Sequence, residues 1–144
     1  PRKLLDAVVG ADKFFSSTLP RAMETADALA GAHAVERDPV FVEAPLPPPH
    51  FFGRRKPRRW GVLARITWWM GFSAGGETRR ESEQRAEAAA ATIAATALRG
   101  QNVVLCAHGW FNRMMRPVLL SWGWKCVHDG GDDYWSFRKY VRRL

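Results

Sequence analysis

A chain of 144 residues that is 47% hydrophobic and 25% charged has the size and composition of one ordinary globular domain, which excludes a disordered tail. Two cysteines, Cys106 and Cys126, exclude a disulfide scaffold, and no Cys-x-x-Cys spacing suggests a metal site. The net charge of +8 is unevenly placed: Arg54, Arg55, Lys56, Arg58, Arg59 and Arg65 fall in one acid-free segment, and Arg138, Lys139, Arg142 and Arg143 in a tail. No run of about 18 apolar residues and no evident signal peptide occur, so a cytoplasmic location is expected.

Residues 12–16 are short and rich in β-formers and predict a strand. Ser17-Thr18-Leu19-Pro20 supplies an N-cap and an early proline, so a helix follows to about Ala30, with Ala22, Ala26 and Leu29 on one face and Gly31 closing it. Val40-Phe41-Val42 predicts a second strand, stopped by Pro45, Pro47, Pro48 and Pro49. A basic, tryptophan-bearing insert at about 50–76 is irregular apart from a short helix around Val62 to Met70. Thr78 and Glu81 form a capping box that opens the longest helix, about 78–99, with Ala86, Ala90, Ile93 and Ala97 inward. Val103 to Ala107 is a continuous apolar run, as expected of a strand buried on both faces. A helix then runs to about Trp122, and residues 134–141 alternate as a last strand with Trp135, Phe137 and Val141 on one face. Trp122, Trp124 and Trp135 are expected in core or sheet-edge packing. Alternating strands and helices predict an α/β fold, one domain over 1–144, with a largely parallel sheet flanked by helices in three layers.

In such sheets ligands bind at the carboxyl ends of strands, and three of these ends carry unusual residues. Arg21 stands in the first turn of its helix, where helical N–H groups and a guanidinium can share an anion; taken alone, a capped helix with a solvated arginine is the commoner case, since arginines are mostly surface residues. Glu43 follows the second predicted strand as a general acid or as an exposed turn carboxylate. His108 directly follows the apolar strand, and Gly109 lets a ligand approach the backbone; a structural histidine is the alternative.

The ordered set is Ser16-Ser17-Thr18-Leu19-Pro20-Arg21-Ala22-Met23-Glu24-Thr25-Ala26, then Glu43, then Gly76-Glu77 with Arg85, then Ala107-His108-Gly109. Over about residues 12–120 it resembles the histidine phosphatase superfamily, the phosphoglycerate-mutase-like group that includes broad-specificity acid phosphatases. The resemblance implies that Arg21 and His108 contact a phosphoryl group, that Gly109 offers a backbone N–H, and that Glu43 protonates the leaving oxygen. It implies a small phosphorylated substrate, turnover through a phosphohistidine, and neither cofactor nor metal. One departure stands out: the family's nucleophile lies in an Arg-His-Gly motif on the first strand, and that motif occurs nowhere in the sequence. His33, His50 and His128 fit the role poorly. The expectation is that the first strand is missing and that the chain starts within the first helix, at Leu4, Leu5, Val8 and Val9. A non-catalytic phosphate-binding relative is the alternative.

The basic insert reads as a lid that recruits anionic substrates, or as a solvated loop whose tryptophans cover a sheet edge. A module for membrane or nucleic acid is a third reading, although neither partner is clearly indicated, and oligomerisation stays open. Cys106 is expected to be buried and inert, and nothing marks Cys126 as reactive.

Overall fold

A computed structural model of the chain describes residues 2–46 and 56–143. The expectations for Pro47, Pro48, Pro49, His50, Arg54 and Arg55 fall outside those residues. The contacts divide the chain into two compact units, Pro1–Glu43 with Ala86–Leu144, and Ala44–Arg85.

In the first unit, α1 (Arg2–Ala7) precedes β1 (Lys13–Ser16). β1 is the middle strand of a parallel sheet, between β2 (Val35–Arg37) and β3 (Val103–Cys106). Phe14 pairs with Val35 and Val104, and Ser16 with Arg37 and Cys106. Its central place explains why Phe14, Phe15 and Ser16 are all buried. Parallel neighbours need a crossover, and α2 (Pro20–Ala30) provides it between β1 and β2. Its buried face is all alanine (Ala22, Ala26 and Ala30), and it packs on all three strands. Gly31 ends it at φ 57°, a left-handed conformation that suits glycine.

The predicted strand at Val40–Val42 is not a strand. β2 lies earlier, at Val35–Arg37, and Pro39–Phe41 is a short 3-10 turn. The cause is local: the Asp38 carboxylate accepts the Val40 N–H at 2.8 Å, and Pro39 has no N–H to give a ladder. The turn buries Phe41 with its ring 5.8 Å from that of Phe15.

α4 (Arg79–Leu98) starts in the second unit, and its later turns belong to the first. Ala86, Ala89, Ala90 and Ala94 are buried, while Ile93 and Ala97 are only half-buried, so the inward face lies slightly off the expected one. β3 is also less enclosed than its apolar run suggests. Cys106 is buried, but Val103, Val104 and Leu105 are half-buried, and among the described residues β3 pairs with β1 alone. α5 (Gly109–Ser121) buries Phe111, Met114, Met115 and Leu119 at helical spacing.

A hairpin that the sequence pattern did not indicate follows. β4 (Lys125–Asp129) pairs antiparallel with β5 (Arg138–Val141), with a register shift between Cys126 and His128. The last strand is therefore half the predicted length. Trp135 lies outside it, more than half exposed at φ 64°, rather than in a core or an edge. An ion network joins α5 to the hairpin: Arg113 to Asp132 at 2.5 Å, Arg116 to Asp129, and Arg138 to Asp129 at 2.9 Å and Asp132 at 2.7 Å.

In the second unit, α3 (Pro57–Trp69) is longer than the expected Val62 to Met70, because Pro57 serves as its first residue. It buries Ala64 and Trp68, and the Trp68 indole N–H donates to the Glu77 carbonyl at 3.0 Å. The capping box forms as expected. Glu81 accepts the Thr78 N–H at 2.7 Å, and the Thr78 hydroxyl accepts the Glu81 N–H at 3.2 Å. Arg85 clasps both Glu77 carboxylate oxygens, at 2.8 and 2.9 Å.

Phe41 is fully buried, so Phe41→Ala should lower stability by about 3–5 kcal/mol. The measurement is the urea midpoint at unchanged m-value, and a loss under about 1 kcal/mol would mean that the neighbourhood collapses into the space.

Candidate functional site

The parallel register builds the site. Ser16 lies opposite Cys106, and the ladder runs one residue further, with the Ser17 N–H donating to the Cys106 carbonyl at 3.0 Å. Ser17 therefore lies alongside Ala107, one residue before His108. The Ser17 Oγ and the His108 Nε2 are 2.7 Å apart. The same hydroxyl accepts the Leu19 N–H at 3.1 Å; Leu19 is the N-cap residue of α2, without a side-chain cap, so the cap expected from Ser17-Thr18-Leu19-Pro20 does not form and the Ser17 hydroxyl is tied to the histidine. Ser17 is fully buried and His108 half-buried, which fixes one side of the ring.

Glu43 meets the same point from the other side. His108 is the N-cap residue of α5, and the Glu43 Oε1 accepts the Phe111 N–H at 2.8 Å, with Oε2 3.4 Å from the Trp110 nitrogen. A carboxylate on the second and third N–H groups of a helix satisfies donors that have no partner within the helix and meets the positive end of its dipole. The turn at Pro39–Phe41, rather than a strand, delivers Glu43 there.

Arg21 lies in the first turn of α2, exposed, and its guanidinium has no ion pair among the described residues. It is nonetheless close enough to act on His108. Burial is the main force that holds the His108 ring below the ordinary histidine value; the Glu43 charge opposes it and the Arg21 charge reinforces it. The four residues Ser17, Arg21, Glu43 and His108 thus gather at the carboxyl ends of β1 and β3. Gly109 opens α5 with an ordinary backbone, and a Cβ there would meet the Asp132 Cβ at 3.4 Å, so its near neighbour is the hairpin loop.

The other described histidines lie elsewhere. His33 follows the far end of α2 from Arg21, with its Nδ1 on the Ala30 carbonyl at 3.0 Å, and His128 stacks on Phe137 in the hairpin at 4.4 Å. Cys106 is buried and pushed up to about 11 by burial, so it is a poor nucleophile. Among the described residues no three His, Cys, Asp or Glu side chains gather as metal ligands. Sequence reasoning missed the Ser17 to His108 contact and the capping role of Glu43. The first signal was present in Ser16-Ser17, but only the strand register turns it into a contact.

The family model of the histidine phosphatase superfamily (branch 1) matches residues 2–134. No curated protein and no solved structure matches the chain.

The electrostatics make a signed prediction. His108, followed by its ring proton resonance, should titrate below the ordinary value of about 6.5. Arg21→Gln should raise the midpoint and Glu43→Gln should lower it further. Shifts in the opposite directions, or none, would remove these charges from the neighbourhood of the ring.

Proposed function

Since the chain belongs to the histidine phosphatase superfamily, we propose that its site hydrolyses phosphomonoesters, with a small phosphorylated compound as substrate. In this reading Arg21 and His108 hold the phosphoryl oxygens, the Gly109 N–H adds a backbone donor, and Glu43 gives its proton to the leaving oxygen. The carrying observation is the convergence on His108 of the Arg21 and Glu43 charges with the N-terminal end of α5.

The chemistry is consistent with these parts. Phosphoryl transfer spreads negative charge over three oxygens, and a guanidinium, an imidazolium and helix N–H groups all oppose it. Phosphate arriving beside a histidine held neutral favours its protonated form, so binding draws in a proton. In this reading the transferable proton sits on Glu43 Oε2, whose contact with the Trp110 nitrogen, at 3.4 Å, is longer than that of Oε1 with the Phe111 nitrogen, at 2.8 Å. Once the proton leaves, the carboxylate stays on the α5 N–H groups.

The covalent step needs a nucleophile that these residues do not supply. We place it on a histidine in a segment outside these 144 residues, as a strand beside β3. That edge has no partner among the described residues, and Val103, Val104 and Leu105 are only half-buried there. The histidine nitrogen would then bond to phosphorus as the ester P–O bond breaks, and water would attack the phosphohistidine to release phosphate.

Two experiments test this. The 144-residue chain should bind vanadate with net proton uptake and show no turnover, and an upstream-extended chain with an Arg-His-Gly motif should hydrolyse phosphomonoesters. Equal turnover by both would overturn the placement of the nucleophile. In the active chain, Glu43→Gln should slow alkyl phosphates on the order of a hundredfold and activated aryl phosphates far less, because only the former need a protonated leaving group. Equal slowing of both classes would take the acid role from Glu43.

A further inference from the structure

The second unit carries a surface that phosphoryl chemistry does not use. α3 has two dissimilar faces. Ala64 and Trp68, four residues apart, are buried. On the opposite side Val62, Ile66 and Met70 recur at four-residue spacing and are 57%, 49% and 82% exposed, with Trp69 beside them at 43%. Four large apolar side chains held in water along one helix of about 20 Å are not scattered exposure; they form a stripe.

The cations stand on the same side. Arg58 and Arg59 lie one turn before Val62, four and three positions back, and so precede the stripe along its face. Both are exposed, and neither makes an ion pair among the described residues, and Lys56 at the helix start is exposed too. No acidic residue occurs between Glu43 and Glu77 in the sequence. Arg79 stacks on Trp69 with its guanidinium 3.5 Å from the ring centre, but its Nε pairs with Glu83 at 2.8 Å, so it covers the ring without adding net charge to the stripe.

We propose that this face of α3 is a docking surface for an anionic phospholipid membrane. The charge pattern selects the occupant. A second copy of the same face would bring acid-free, cationic segments together, which repels. Nucleic acid would reward the arginines, but single strands bind through stacked aromatic rings; Val62, Ile66 and Met70 offer none, and the Trp69 ring of the stripe is covered by the Arg79 guanidinium. An interface that takes aliphatic side chains and cations together is the boundary between acyl chains and anionic headgroups. The apolar stripe enters the headgroup boundary, Arg58 and Arg59 meet the phosphates, and the buried Ala64 and Trp68 keep the helix on its own unit. The helix lies on the membrane and does not cross it; no described helix is long and apolar enough to cross one.

The test uses the whole chain and vesicles of phosphatidylcholine, either alone or with about a third phosphatidylserine. Sedimentation should show binding to the anionic vesicles only, weakened several-fold by raised salt. Arg58→Gln with Arg59→Gln should weaken it on the order of twentyfold, at about fivefold per cation removed. Arg58→Lys with Arg59→Lys should retain it. Ile66→Ser with Met70→Ser should abolish the blue shift of tryptophan emission that accompanies insertion. Equal binding to both vesicle types, binding that survives the glutamine pair, no binding by the unaltered chain, or tighter binding to duplex DNA than to anionic vesicles at the same salt would each overturn the proposal.

Discussion

The site depends first on the parallel pairing of β1 with β3. Side chains alternate along a strand, so a slip of one residue would turn Ser17 away and place another residue beside His108. The register is held by two kinds of bond. The ladder itself runs to the Ser17 N–H on the Cys106 carbonyl. Below it, the Asn102 N–H donates to the Asp12 carboxylate at 2.7 Å, and the Asn102 carbonyl accepts the Asp12 N–H at 2.8 Å. The pair is thus pinned at both ends. What Phe14 and Phe15 contribute by burial is transmitted to His108 as position.

Much of this was legible in the sequence, and the parts that were not have physical reasons. α2, α4 and its capping box, and β3 were readable because caps, glycines and apolar runs are local signals. Arg21 and His108 were readable because they end or begin such elements. The second strand was misplaced because Val40-Phe41-Val42 is the better β-former, yet Asp38 and Pro39 direct the backbone into a turn before it. The hairpin was missed for a different reason. Lys125–Asp129 is mostly exposed and lacks an inward face, so its strand character comes from Arg138–Val141 and from ion pairs to α5. Periodicity cannot report a strand whose partner and charge network specify it.

The roles of individual side chains were less legible than their places. Glu43 was foreseen as a carboxyl near the site, but its hold on the α5 N–H groups depends on two segments 67 and 68 residues apart in the chain. Ser17 was foreseen only as part of a capping segment, and the structure gives its hydroxyl to His108. In both cases a polar group with a good local use was taken by a non-local partner. A side-chain oxygen at the end of a central strand serves whichever donor the register brings to it.

The charge balance around His108 follows from the same geometry. Burial disfavours an imidazolium, and the exposed Arg21 guanidinium disfavours it further. Glu43 is the one opposing charge, and its oxygens are engaged with the helix N–H groups. Near neutral pH the cluster therefore holds an exposed guanidinium with no ion pair among the described residues and a neutral histidine, beside a helix end that the Glu43 carboxylate caps. Arg21 and His108 cannot satisfy each other, because a proton on the ring would add a second positive charge beside the guanidinium. Under the proposed function, an anion entering beside the ring would meet the guanidinium and make the proton on His108 favourable where it had been costly. Ser17 and Glu43 are held in place by the fold itself, the first on the His108 ring and the second on the α5 N–H groups.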